Sequence, residues 1–214
     1  APARGDSVLF DPITLRDLEI PNRIWVSPMC QYSGTDDGIA TDWHMVHLGS
    51  RAVGGAGVVF VEAAGVVPEG RISPWDLGIW SDEQADAFKP INRFIAEHGS
   101  VPAIQLAHAG RKASTHQPWM GGKPVGPDDH GWQPVGPSPI AFNEGYPEPH
   151  ELTTDEVRAV VDAFASAAER SARAGFEMVE VHAAHGYLVH QFLSPHTNLR
   201  TDEYGGSFEA RTKL

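Results

Sequence analysis

The sequence predicts an α/β fold of parallel strands covered by helices, the first four units of a (β/α)8 TIM-type barrel. Three observations predict it. Short strand-forming runs alternate with helical stretches in the order β-α-β-α-β-α-β. Those runs are too evenly apolar for strands with one wet face, as a sheet buried on both sides requires. Polar residues also gather where the strands end: Cys30 and Tyr32 after the first, Glu62 at the second, Gln105 and His108 at the third, His182 and His185 at the fourth. Barrels assemble their active sites at that end. An open dinucleotide-binding sheet would instead place a G-x-G-x-x-G turn after its first strand. Here that position reads Ser27-Pro28-Met29-Cys30-Gln31-Tyr32.

Taken in order, Val8 to Leu15 reads as an opening hairpin with Pro12 at its turn, and Arg23 to Val26 as the first strand. Thr41-Asp42 caps a helix that Gly54-Gly55 stops. Gly57 to Val61 is the second strand. Ser81-Asp82-Glu83 opens the second helix, whose Phe88, Ile91, Phe94 and Ile95 share one side, with Gly99 at its end. Val101 to Leu106 is the third strand. The stretch 113–150, rich in Pro and Gly, is far longer than an ordinary connection and reads as a functional capping loop that carries Trp119 and Trp132. Thr153-Thr154-Asp155-Glu156 begins an amphipathic helix that runs to Ala174-Gly175, and Met178 to Val181 is the fourth strand.

Composition narrows the function. The chain has 214 residues, 41% of them hydrophobic and 21% charged, which is the balance of a globular domain. A formal net charge of −12 excludes a phosphate-binding surface of the nucleic-acid kind, which needs surplus Lys and Arg. Cys30 is the sole cysteine, so no intrachain disulfide forms. The polar start Ala1 to Asp6 has no apolar targeting core. The longest apolar stretch, Gly57 to Val67, is broken by Glu62 and too short for a bilayer. The resulting expectation is a cytoplasmic protein with neither membrane nor nucleic-acid partner.

The pair His182 and His185 has three readings: core histidines, metal ligands, or donors to an oxygen that gains negative charge. The metal reading needs a third ligand, and no H-E-x-x-H helix is present. Removing one oxyanion donor typically costs about 3 kcal/mol of barrier, so paired imidazoles are chemically worthwhile. Tyr187 is either a packed aromatic or a proton donor, since a phenol of pKa about 10 stays protonated at neutral pH. Cys30 is either a small buried hydrophobe or a group touching a cofactor. Arg111 and Lys112 are either a solvated basic pair or contacts to a cofactor phosphate.

Four strings, SPMCQYS (27–33), QLAHAGRK (105–112), VHAAHGYL (181–188) and RTDEYGGS (200–207), stand here in the order in which they occur in Old Yellow Enzymes. The chain resembles that family over essentially its whole length, and the bacterial class with a cysteine near the flavin most of all. The resemblance implies a single FMN-binding (β/α)8 barrel domain, of which 1–214 is the N-terminal part. It implies an NADPH dehydrogenase or ene-reductase, in which NAD(P)H reduces FMN and the flavin reduces an activated C=C bond of an α,β-unsaturated carbonyl or nitro compound. By position, Pro28, Met29, Cys30, Ala63, Gln105 and His182 would contact the flavin. His182 and His185 would hold the substrate oxygen, Tyr187 would donate the proton, and Tyr32 would orient the substrate. No metal is implied.

The sequence also departs from that pattern. Only four strands are legible, and Arg211 to Leu214 falls where the fourth crossover helix starts. The residues that would hold the FMN phosphate cannot be assigned. The first and fourth strands are expected to be open edges, closed by more of the same polypeptide, by a companion chain or by self-association. Two other functions follow from different classes: a non-catalytic half-barrel that binds a partner, and a metal-dependent hydrolase using His182 and His185.

Overall fold

The computed structural model describes residues 8–214. The polar start Ala1 to Asp6 lies outside them. An antiparallel hairpin comes first, β1 (Ile13–Leu15) and β2 (Leu18–Ile20), with Ile13 opposite Ile20. Its turn lies at Arg16-Asp17, where Arg16 has φ 55°. Pro12 therefore precedes the first strand and does not form the turn, a correction to the sequence reading. Proline lacks the amide a ladder needs, and it is tolerated just before a strand as well as in a turn.

The main sheet has four parallel strands in sequential order: β3 (Trp25–Val26), β4 (Val58–Gly65), β5 (Val101–Ala107) and a fourth strand at 178–181. Helix α1 (Asp42–Val53) joins β3 to β4, and α2 (Asp82–Glu97) joins β4 to β5. The chain then enters the long stretch, which contains the two-residue strands β6 (Val135–Gly136) and β7 (His150–Glu151), paired parallel. Helix α3 (Thr154–Arg173) leads into β8 (Met178–Val181), and two short helices follow, α4 (Leu188–Leu193) and α5 (Phe208–Arg211). Neighbours in sequence are neighbours in space, as in successive units of a barrel and unlike a doubly wound sheet.

Both long helices that flank the core begin where a side chain can satisfy their free amides. Ser81 and Gln84 cap α2 reciprocally, and Thr153 and Glu156 do the same for α3. The capped helices then lay their apolar stripes on one face of the sheet. Val59, Val61, Ile104 and Leu106 meet Leu48, Phe88, Ile91, Ile95 and Ala167 there. The other face carries Val58, Phe60, Val101 and Ala103, and Ile20 of the hairpin plugs it. Every residue of β4 and β5 is buried. The second strand thus runs four residues beyond Val61 and encloses Glu62, which the sequence reading had placed at a strand tip.

The candidate active site at the strand tips

A register shift between β4 and β5 at Glu62 brings Ala63 opposite Gln105. The bulge turns Glu62 inward and leaves small Ala63 facing the cavity that forms beyond the sheet. That cavity has a volume of about 390 Å³. Ser27, Pro28 and Cys30 line it from the first unit, Ala63 and Ile72 from the second, and Gln105 from the third. Glu180, His182, His185 and Tyr187 line it from the fourth. The tips of four neighbouring strands therefore converge on one space.

Seven of the residues expected from sequence line it: Pro28, Cys30, Ala63, Gln105, His182, His185 and Tyr187. Met29 and Tyr32 do not. Met29 is exposed, with 48% of its surface accessible. Tyr32 sits with φ 52° and packs edge-on against Trp119, ring centroids 5.4 Å apart. His108, expected among the tip residues, is buried away from this cavity. Its Nδ1 accepts the amide of Gly110, and burial lowers its pKa to about 4, so it is neutral.

Three lining residues were missed. Glu180 accepts a 2.6 Å hydrogen bond from the Gln105 amide nitrogen, fixing which end of that amide is which. The remaining N–H and the carbonyl oxygen of Gln105 stay free for a ligand. The signal was there: Glu180 is a charged residue inside an apolar strand, like Glu62. Ile72 enters on a loop held by Asp76, whose Oδ2 accepts the amides of Ile72 and Ser73. Nothing in local sequence marks that loop, and Ser27 carries no signal either.

The imidazoles and the phenol form one group. The rings of His182 and His185 lie 5.2 Å apart at 86°, and those of His182 and Tyr187 5.0 Å apart at 72°. Nδ1 of His182 faces the amide of Ala184 at 3.4 Å, which leaves Nε2 as its N–H donor. Burial, then the neighbouring His185 and Lys112, push the His182 pKa down, so the ring donates as a neutral imidazole. Burial and the nearby Cys30 and Asp76 hold the Tyr187 phenol up at about 12. Burial raises the Cys30 thiol as well, with Asp76 and Glu62 adding to it. The site keeps its acidic protons.

Lys112 stands beside this group without lining the cavity. Its Nζ donates to the carbonyl of His185 at 2.9 Å and lies 4.7 Å from the centre of the Tyr187 ring. Arg111, for which both a solvated cation and a phosphate contact were open, is held by the protein itself. Its guanidinium donates to the carbonyls of Ile140 and Ala141 and so ties down the long stretch. Of the two tryptophans in that stretch, Trp132 donates to the carbonyl of Glu69, while Trp119 remains 69% exposed.

Among the described residues, no group of three or more His, Cys, Asp and Glu is placed to hold a metal ion, and no helix is long and apolar enough to cross a membrane.

The parallel sheet with a polar cavity at its strand tips is that of a partial (β/α)8 barrel, and the relatives of the chain agree with it. The chain belongs to the NADH:flavin oxidoreductase / NADH oxidase family, whose model matches residues 8–214. It is 48% identical over 207 residues to the NADPH dehydrogenase of Bacillus subtilis, covering 96% of this chain and 57% of that protein. It superposes with a TM-score of 0.82 and 34% identity on the old yellow enzyme homologue from Zymomonas mobilis, covering 96% of this chain and 56% of the other. Morphinone reductase in complex with tetrahydroNAD gives a TM-score of 0.82 at 35% identity, with 96% and 57% covered. The chain spans about half the length of the curated relatives it matches.

Proposed function

We propose that this chain supplies the ring-binding and substrate-activating half of an FMN-dependent, NAD(P)H-consuming ene-reductase. One observation supports this most: Cys30, Ala63 and Gln105 share a single cavity with His182, His185 and Tyr187. The cavity suits a flavin ring, with a small alanine on its wall and an amide that has both a donor and an acceptor free. It has no lysine or arginine in its lining, so it does not suit the FMN phosphate. Phosphate binding falls to further strand–helix units. When bound, the flavin would supply the hydride chemistry that links NAD(P)H to the substrate.

The chain's own residues account for the rest of the reaction. Nε2–H of His182, beside His185, hydrogen-bonds the carbonyl or nitro oxygen of an activated alkene. As hydride arrives at the β-carbon, charge accumulates on that oxygen, and the fixed donors stabilise it with little reorganisation. Tyr187 delivers a proton to the α-carbon, which completes addition of two hydrogens across the double bond. Lys112, over the phenol ring, steadies the tyrosinate that forms until solvent returns its proton. Tyr32 reaches the substrate only from the rim.

The uncovered parts of the sheet indicate how the site is completed. Trp25 on β3 and Val179 and Val181 on β8 are 38%, 39% and 54% exposed. Further strand–helix units, from the same polypeptide or a companion chain, would cover them and close the barrel. The test is a spectrum and an assay. The complete polypeptide should purify yellow, absorb near about 450 nm as oxidised flavins do, and oxidise NADPH only when an enone is added. The 214-residue chain alone should lose FMN on gel filtration. Colourless complete protein, or tight stoichiometric flavin on the lone chain, refutes the reading.

A further inference from the structure

We propose that His44 and Glu62 are positioning residues: together they clamp the turn carrying Cys30 and Tyr32 against the ring cavity. Neither lines that cavity, yet both are almost fully buried, at 1% and 3% exposure. Burial of a carboxylate is costly unless its oxygens are hydrogen-bonded, and here each oxygen has a partner. One accepts from Nε2 of His44 at 3.3 Å, the other from the backbone amide of Gln31. Nδ1 of His44 accepts the amide of Thr41 at 2.9 Å, so the ring proton must sit on Nε2 and face Glu62. The donor–acceptor sense of the chain Thr41, His44, Glu62, Gln31 is thereby fixed.

The clamp lies where the backbone most needs one. Gln31 stands between Cys30 and Tyr32, and Tyr32 occupies the left-handed region that a residue with a Cβ avoids. Gln31 is held from three further directions. Its side chain donates to the carbonyl of Met29 at 2.7 Å and accepts from the indole of Trp43 at 3.1 Å, and Ser33 Oγ donates to its carbonyl at 3.0 Å. Both Trp43 and His44 belong to the first turn of α1. The first turn of α1 therefore sets the position of the half-buried turn at 30–34, and Glu62 on β4 is the joint between them. The functional sense of the clamp rests on the proposal above that Cys30 and Tyr32 serve the ring and the substrate.

The test compares variants in the complete polypeptide. In His44→Gln, the carboxamide keeps one acceptor for the Thr41 amide and one donor for Glu62, so it should behave much as the unsubstituted protein does. His44→Ala breaks the chain. Glu62→Gln sets an N–H against either His44 or Gln31. Alkylation of Cys30 by iodoacetamide, followed by mass spectrometry of its peptide, should quicken at least tenfold in His44→Ala and Glu62→Gln, and stay within twofold in His44→Gln. The circular dichroism of all three should be unchanged.

Rates within twofold in all three variants would overturn the proposal. So would equal acceleration in His44→Gln and His44→Ala. Should a variant fail to fold, hydrogen exchange of the unsubstituted protein decides. The Gln31 amide should exchange at least a hundredfold more slowly than those of Asp36 and Asp37 in the following loop, and similar rates would sink the clamp. Neither readout needs bound flavin, so loss of the flavin reading would leave this result interpretable.

Discussion

Strands β5 and β8 lie side by side, with Ile104 opposite Val179 and Leu106 opposite Val181, yet they live in different surroundings. Ile104 and Leu106 are 0% and 1% exposed, while Val179 and Val181 are 39% and 54% exposed. All four point to the same face, because partners in register share a side of the sheet. Helices α2 and α3 cover β5, and among the described residues no helix covers β8 on that face. The fourth strand nevertheless carries Glu180 and leads to His182, His185 and Tyr187. Packing is thus concentrated in the centre of the sheet, and the proposed proton chemistry at its open edge.

That contrast can be broken by substitution. The largest effect is expected at Ile104→Ala, which removes buried methyl groups and leaves a void. Unfolding free energy should drop by about 2–5 kcal/mol in urea titrations. A loss below about 1 kcal/mol would mean that the centre is not packed as described. Tyr187→Phe comes next. In the complete polypeptide, enone reduction should slow by about a hundredfold or more while reduction of the cofactor by NADPH keeps its rate. Stopped-flow absorbance separates the two half-reactions, and equal slowing of both would remove Tyr187 from the proton-donor role. The phenol's pKa, at about 12, also predicts that enone reduction in the unsubstituted protein persists to pH 10 and falls only as that pKa is approached.

A smaller effect should appear in the pH dependence of stability. Asp76 is 1% exposed, and burial together with Glu62 raises its pKa to about 7. Its folded form therefore holds a proton that the unfolded chain releases near pH 4, so stability from this group is full below about pH 4 and declines as pH rises towards 7. Asp76→Asn should remove that decline, and the difference between the two proteins' urea midpoints should grow from pH 4 to pH 8. A constant difference would show that Asp76 does not titrate there. The smallest effect sharpens the comparison directly. Val181→Ala should change stability by less than about 0.5 kcal/mol in the lone chain, and by more than 1 kcal/mol once further units cover β8.

The sequence made the fold and the cavity largely legible, for identifiable reasons. Alternation of apolar runs with capped amphipathic stretches shows four units, since each signal is local. Cys30, Gln105 and His182 could be placed because they stand at or near strand ends, and Tyr187 only through the family resemblance. Tertiary contacts were not so visible. Glu62 read as a tip residue because nothing local shows that a bulge turns it towards His44, eighteen residues earlier. Arg111 was left between a solvated cation and a phosphate contact, because nothing local shows that the carbonyls of Ile140 and Ala141 lie within its reach. Tyr32 was drawn to the cavity by position alone, and its backbone dihedral carries it to Trp119 instead. The hairpin's true turn, Arg16-Asp17, has no glycine to announce its left-handed residue.

The most direct measurement is a crystal structure of the complete polypeptide soaked with FMN. The flavin ring should lie within van der Waals contact, about 4 Å, of Cys30, Ala63 and Gln105, with the imidazoles of His182 and His185 over its opposite face. Ring density in any other cavity, or on the far side of the two histidines from Cys30, would contradict the account.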